Sequence, residues 1–143
     1  MFARHFIKHF QRISPRPHHS SQFSSLTKGC DYQHWLILMD SPQGYPNRDE
    51  IINTYINTLA LGLGSVEEAR RSVYSVSTKY YYGFGCRISD QLAQKMQSLP
   101  NVRWVLPDSY ISCVENDYGG EPYVDGKVAP YEEKYHADWL HCK

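Results

Sequence analysis

The chain has 143 residues and 15 basic against 15 acidic residues, so its formal net charge is zero. That length supports one small domain with a tail rather than several domains, and no apolar run approaches the roughly 20 residues needed to cross a bilayer. Cys30, Cys86, Cys113 and Cys142 include no CxxC pair, which argues against a zinc ribbon or a thioredoxin-like site.

The zero average hides two unlike parts. Residues 1–28 hold Arg4, Lys8, Arg12, Arg16 and Lys28 and no acidic residue, so residues 29–143 carry a net charge of −5. The leader also contains Ser14, Ser20, Ser21, Ser24 and Ser25. On a helix, Phe2, Phe6, Ile7, Phe10 and Ile13 gather on one side and Arg4, Lys8 and Arg12 on another. A basic, Ser-bearing, acid-free amphipathic leader is expected to be an organellar transit peptide; the alternative is a basic tail that stays attached. Its arginine share favours the mitochondrion, with the chloroplast as the alternative.

The body begins with an almost continuous apolar run from His34 to Asp40, the length of a strand buried on both faces. Pro42, Gly44, Pro46 and Asn47 break it into a loop, and Asn47 or Asp49 is placed to cap a helix. Ile52, Tyr55, Ile56, Leu59 and Leu63 define one face of that helix from Asp49 to about Leu61, closed by Gly62 and Gly64. Ser65 and Glu68 read as a capping pair opening a short helix to about Arg71. From Val73 to Ile88 the pattern alternates, predicting a hairpin that turns near Lys79–Tyr81, with Tyr74, Val76 and Thr78 on one side and Tyr82, Phe84, Cys86 and Ile88 on one side. Ser89-Asp90 caps a helix that buries Leu92, Met96 and Leu99, and Pro100-Asn101 stops it. Val102–Leu106 is the next strand, closed by Pro107. Asp125-Gly126 then marks a small terminal hairpin over residues 123–128, and the chain beyond Ala129 is expected to fray.

The order β-α-β-β-α-β predicts an α+β, ferredoxin-like sheet with helices on one face, followed by a short C-terminal hairpin and tail. The expected organisation is a leader over 1–28, a folded domain over 29–129 and a polar tail over 130–143.

Several strings in this body resemble one known family. Cys30-Asp31-Tyr32, His34-Trp35-Leu36, Tyr74-Ser75-Val76-Ser77, Gly83-Phe84-Gly85, Trp104-Val105-Leu106-Pro107-Asp108-Ser109-Tyr110, Asn116-Asp117-Tyr118-Gly119-Gly120 and Val124-Asp125-Gly126-Lys127 are similar to the shared box of the plant multiple organellar RNA editing factors, also called DAG-like or RNA-editing-interacting proteins. The resemblance runs from about Cys30 to about Tyr135. It implies a non-catalytic accessory protein for cytidine-to-uridine RNA editing in mitochondria or plastids. It further implies binding to pentatricopeptide-repeat editing proteins, homo- or hetero-oligomers with family members, and only indirect contact with RNA. The family box is also similar in fold to propeptide-like inhibitor domains of subtilisin-type proteases. The chain ends soon after the box, without the long Gly/Pro/Gln-rich extension that some members carry.

The residues themselves point away from catalysis. A cytidine deaminase needs a zinc-bound water and a Glu acid/base in an HxE…PCxxC signature; the chain contains neither part, nor a GxSxG, Walker or HExxH motif. No enzyme activity, cofactor or metal is therefore expected. His136, His141 and Cys142 are too loosely spaced to favour a metal site over a polar tail. Asp108, Asp117 and Glu121 read as a turn-capping residue and a solvated face. Tyr80-Tyr81-Tyr82 with Phe84 are similar to RNA-stacking aromatics, but phosphate binding requires Lys and Arg and the body is acidic.

If helices cover one face of the sheet, the apolar residues of the other face are candidates for a protein interface. Leu36, Leu38, Tyr81, Gly83, Gly85 and Val105 are the residues expected there. The alternative is that the segment from Tyr110 through Val114 folds back over them. Two other functions remain open: a propeptide-like protease-inhibitor module and a small single-stranded RNA-binding protein.

Overall fold

The computed structural model describes residues 30–109 and 119–136. Strand β1 (Cys30–Met39) leads through a loop to helix α1 (Arg48–Leu63) and helix α2 (Val66–Ser72). A hairpin of β2 (Val73–Ser77) and β3 (Gly83–Arg87), helix α3 (Asp90–Met96) and β4 (Val102–Ser109) come next. Strands β5 (Glu121–Val124) and β6 (Lys127–Val128) and a 3-10 turn (Glu133–His136) complete the described chain.

The helix boundaries obey local chemistry. Asn47 accepts from the Glu50 backbone N–H at 2.9 Å while the Glu50 carboxylate accepts from the Asn47 N–H at 3.0 Å, a reciprocal cap. Helix α1 outlasts its expected end at Leu61 and stops where Gly64 takes a left-handed conformation (φ 87°), its N–H donating to the Ala60 carbonyl. Ser65 caps α2 and Ser89 caps α3, each hydroxyl accepting the backbone N–H three residues on. Helix α3 buries Ala93 and Met96, while Leu92 and Leu99 pack partly buried beside them.

The sheet order is β4-β1-β3-β2-β5-β6 with every neighbouring pair antiparallel. Register places Ile37 opposite both Phe84 and Val105, so these three share a face. Tyr55 of α1 packs on Phe84 with ring centroids 5.3 Å apart and donates its hydroxyl to the Ser77 carbonyl at 2.7 Å. That is the helix-covered side. Where α1 meets α3, a Cβ on Gly62 would lie 2.7 Å from the Met96 sulfur, so the two helices approach closely. Trp35, Leu36, Ile37, Leu38 and Met39 are all buried, as a strand closed on both faces requires.

Three details depart from the sequence pattern. Strand β1 starts at Cys30 rather than His34, because its backbone pairs with β4 at Ser109 and Asp108 beyond an irregularity before Trp35; a ladder needs backbone groups, not apolar side chains. Strand β4 runs through Pro107, which is tolerable because β4 is an edge strand in this order. The pairing of β2 with β3 slips between Val73 and Ser75, so Tyr74 does not share a face with Val76. The terminal hairpin forms as expected, with Asp125 (φ 51°) and Gly126 (φ 80°) in its turn. It joins the main sheet through β2, where Ser75 faces Pro122 and Val76 faces Glu121.

Replacing Asn47 with Ala should lower stability by about 1 kcal/mol, read from urea unfolding with an unchanged slope. An unaltered midpoint would show that α1 does not depend on its cap.

Candidate interaction surface

The sheet face opposite the helices is built by register. Leu36 lies opposite Gly85 and Leu106, and Leu38 opposite Gly83 and Trp104. A Cβ on Gly83 would sit 2.5 Å from the Ile37 carbonyl oxygen, and one on Gly85 would fall 2.7 Å from the Tyr74 ring. Both glycines are therefore required by space, as close backbone approach within a strand demands.

Tyr74 lies across Gly85 on this face from the bulge in β2. Its ring meets His34 edge-on at 5.2 Å, and its hydroxyl donates to the Asp108 carboxylate at 2.5 Å. Asp108 has no exposed surface. It is thus a buried residue of β4 rather than the turn-capping residue expected from the sequence, and Tyr74 supplies the donor that a buried carboxylate needs.

Of the six residues expected at an interface, Leu36, Leu38, Gly83 and Gly85 come together on this face. Val105 lies on the opposite, helix-covered face as the partner of Ile37. Tyr81 sits in the β2–β3 turn. All six positions are buried, so none presents a side chain to solvent in this structure.

Glu121 is likewise fully buried rather than part of a solvated acidic face. One carboxylate oxygen accepts from Arg48 Nε at 2.8 Å and Nη2 at 2.6 Å; the other accepts from the Thr78 backbone N–H at 3.0 Å. Arg48 Nη2 also donates to the Ala129 carbonyl at 2.7 Å. The start of α1, the β2–β3 turn and the terminal hairpin thus meet at one ion pair. Asp117 lies outside the described residues.

The segment beyond Ala129 is fastened rather than frayed as far as it is described. Glu133 pairs with Lys79 at 2.6 Å and accepts from the Tyr80 hydroxyl at 2.7 Å. Lys79 lies 5.3 Å from the Tyr80 ring centroid and 5.1 Å from that of Tyr131. The hydrogen bond to Glu133, reinforced by the charge of that carboxylate, pushes the Lys79 ammonium above its usual range.

The tyrosine triplet forms no shared platform. Tyr80 reaches to Glu133, Tyr81 is buried, Tyr82 lies beside Met39 in a cleft, and Phe84 is buried against Tyr55.

Burial, reinforced by the nearby Asp108 charge, raises the Cys86 thiol far above its normal range and keeps it protonated and unreactive. Among the described residues no His, Cys, Asp and Glu cluster could hold a metal ion. The His136 side chain, His141 and Cys142 lie outside the described part of the chain. Among the described residues the most exposed large apolar side chains are Tyr45, Leu61, Val66 and Val124. None of these four was among the interaction candidates expected from sequence; Tyr45, between Gly44 and Pro46, was detectable as an aromatic in a loop that cannot bury it.

Residues 32–123 match the family described as multiple organellar RNA editing factor 1, MORF domain. Over 116 residues the chain is 65% identical to multiple organellar RNA editing factor 7, mitochondrial, of Arabidopsis thaliana, covering 81% of this chain and 62% of that protein. It is 56% identical over 115 residues to multiple organellar RNA editing factor 8, chloroplastic/mitochondrial, of the same plant, covering 80% and 29% of the two chains. The DAG protein, chloroplastic, of Antirrhinum majus is 50% identical over 103 residues, covering 71% and 45%. The chain thus spans less than two thirds of each of these relatives.

Replacing Arg48 with Ala leaves the Glu121 charge buried without its ionic partner and should cost about 3 kcal/mol, with Arg48→Lys restoring only part, as measured by denaturant unfolding. A loss below about 1 kcal/mol, the range of an exposed pair, would refute the clamp.

Proposed function

The chain belongs to the multiple organellar RNA editing factor family, and from that premise we propose that it is a non-catalytic accessory factor for organellar cytidine-to-uridine RNA editing. It acts by binding pentatricopeptide-repeat editing proteins and assembles with itself or with other family members. RNA is contacted indirectly, through the repeat protein. The observation that carries this reading is the family match over residues 32–123, which takes in most of β1 and runs through to Tyr123 of β5.

Three physical features support an accessory role. Cys86 is held as a thiol, and the buried carboxylates of Asp108 and Glu121 are engaged by Tyr74 and by Arg48 with Thr78. The sequence lacks both halves of the deaminase signature. The net charge of −5 over residues 29–143 opposes phosphate binding by the domain alone. In this reading the six buried residues at positions 36, 38, 81, 83, 85 and 105 form the scaffold, and the partner meets side chains outside them. A rigid domain docked on a flexible repeat array orders that array before RNA arrives and so lowers the cost of binding.

The site of action is the mitochondrion, supported by the basic leader and by the mitochondrial relative at 65% identity. Chloroplast targeting is the alternative, and a fluorescent fusion to residues 1–28 decides between them.

The test is titration of purified residues 29–143 against a PLS-type pentatricopeptide-repeat array, with single-stranded RNA as the parallel titrant. Binding to the repeats, tighter RNA binding by the repeats in its presence, and no salt-sensitive binding of RNA alone are expected. Direct RNA binding, or inhibition of a subtilisin-type protease without repeat binding, would overturn the reading.

A further inference from the structure

A cleft of about 390 Å³ opens where β1 ends and α1 begins. An apolar cavity of about 150 Å³ accepts a benzene ring, so a tyrosine side chain has room here. The lining is mixed: Met39, Ile51, Tyr55 and Tyr82 supply apolar and aromatic surface, and Asn101 and Glu50 supply polar groups.

The loop that forms one rim of this cleft also presents a tyrosine. Pro42, Gln43 and Pro46 line the cleft, while Tyr45, between them in sequence, is fully exposed. The loop is tied at both ends. At its start the Asp40 N–H donates to the Asn101 carbonyl at 2.8 Å, and at its end Asn47 is locked to Glu50 in the reciprocal helix cap. Gly44 takes a left-handed conformation (φ 74°), and a Cβ there would meet nothing within 4 Å, so the bend stands in open space. Pro46 restricts the backbone on the other side of Tyr45. The ring is thus held beside the cleft and outside it, on a loop already ordered, which lowers the cost of burying it against a partner.

We infer that two copies of this chain pair across a two-fold axis at this loop, each inserting Tyr45 into the cleft of the other. Knob and hole lie on one segment, so a single patch is complementary to itself, which is what a closed two-fold interface requires. The ring packs on the apolar lining, and the phenol hydroxyl donates to a polar group there, as a buried tyrosine needs. A carboxylate accepts several hydrogen bonds, so Glu50 can keep its capping bond and take a further one. A buried tyrosine covers about 150–250 Å². Two insertions, counted on both surfaces, come to roughly 600–1,000 Å², below the standard size of a stable interface, so the pairing is weak and reversible. This pairing gives a surface to the self-assembly proposed above and rests on that reading.

Sedimentation of the full chain over a range of concentrations should show reversible dimers. Tyr45→Ala keeps the hole and loses the knob. Thr54→Trp, at an exposed position that lines the cleft, keeps the knob and fills the hole. Each variant alone should pair about tenfold more weakly or worse, with an unchanged thermal midpoint. Mixed, the two restore one insertion per pair. Isotope-labelled Tyr45→Ala should therefore show saturable amide shifts at residues 39–55 when unlabelled Thr54→Trp is added, and none when more Tyr45→Ala is added. If Thr54→Trp unfolds, Ser41→Trp fills the same cleft in its place. Dimers that persist undiminished in Tyr45→Ala would overturn the inference and leave self-assembly through another surface standing. A chain that stays monomeric throughout would overturn both the inference and assembly with itself. A mixture that pairs no better than its parts, or shifts confined to residues away from the cleft, would overturn the inference alone.

Discussion

Glu121 has no exposed surface, and a carboxylate in that position is stable only when its charge is met. Arg48 meets one oxygen through two nitrogens, and the Thr78 N–H meets the other. Glu121 is separated from these partners by 73 and 43 residues of chain. The ion pair therefore closes long stretches of chain around one point, where the beginning of α1, the turn between the central strands and the added hairpin coincide. Arg48 also holds the Ala129 carbonyl, which carries the constraint past β6 to the segment leading to Glu133. A hydrophobic contact in the same place would be non-directional; the paired charge specifies which groups meet.

A second constraint is the lack of space at β3. Gly83 and Gly85 bring the central strands together where a Cβ would strike the Ile37 carbonyl or the Tyr74 ring. The extra residue in β2 turns Tyr74 across Gly85 toward Asp108. A buried acid, a bulge and a glycine are thus tied together on the face opposite the helices. The neighbouring turn carries strain: Tyr80 is left-handed at φ 62°, and the Tyr81 N–H donates back to the Lys79 carbonyl at 2.6 Å. Such a conformation costs on the order of 1–3 kcal/mol and persists only when surroundings hold it. Here the tie from Tyr80 to Glu133 and the bonds from Ser77 to Lys79 and Tyr81 do so.

These constraints place the polar groups that looked available for chemistry in structural roles. Asp108 and Glu121 are consumed by the fold, and the Cys86 thiol is sealed in it. Among the described residues, the loop around Tyr45, the cleft beside Asp40 and Glu50, and isolated apolar side chains on α1, α2 and β5 remain accessible. Such a surface suits protein recognition.

The apolar run from Trp35 to Met39, the helical face from Ile52 to Leu59, the caps at Asn47, Ser65 and Ser89 and the Asp125-Gly126 turn were legible because each depends on residues within one or two turns of itself. These local signals, with the family strings, determined the element order, the α+β class and the family. What only the tertiary structure decided was everything that joins distant segments: the burial of Asp108 and Glu121, the slip that separates Tyr74 from Val76, the placement of Val105 under the helices, and the addition of β5 to the edge of β2. The reason is physical. A carboxylate, a tyrosine or an edge strand carries no local mark of its partner, since its environment is set by groups dozens of residues away whose pairing exists only once the chain has folded.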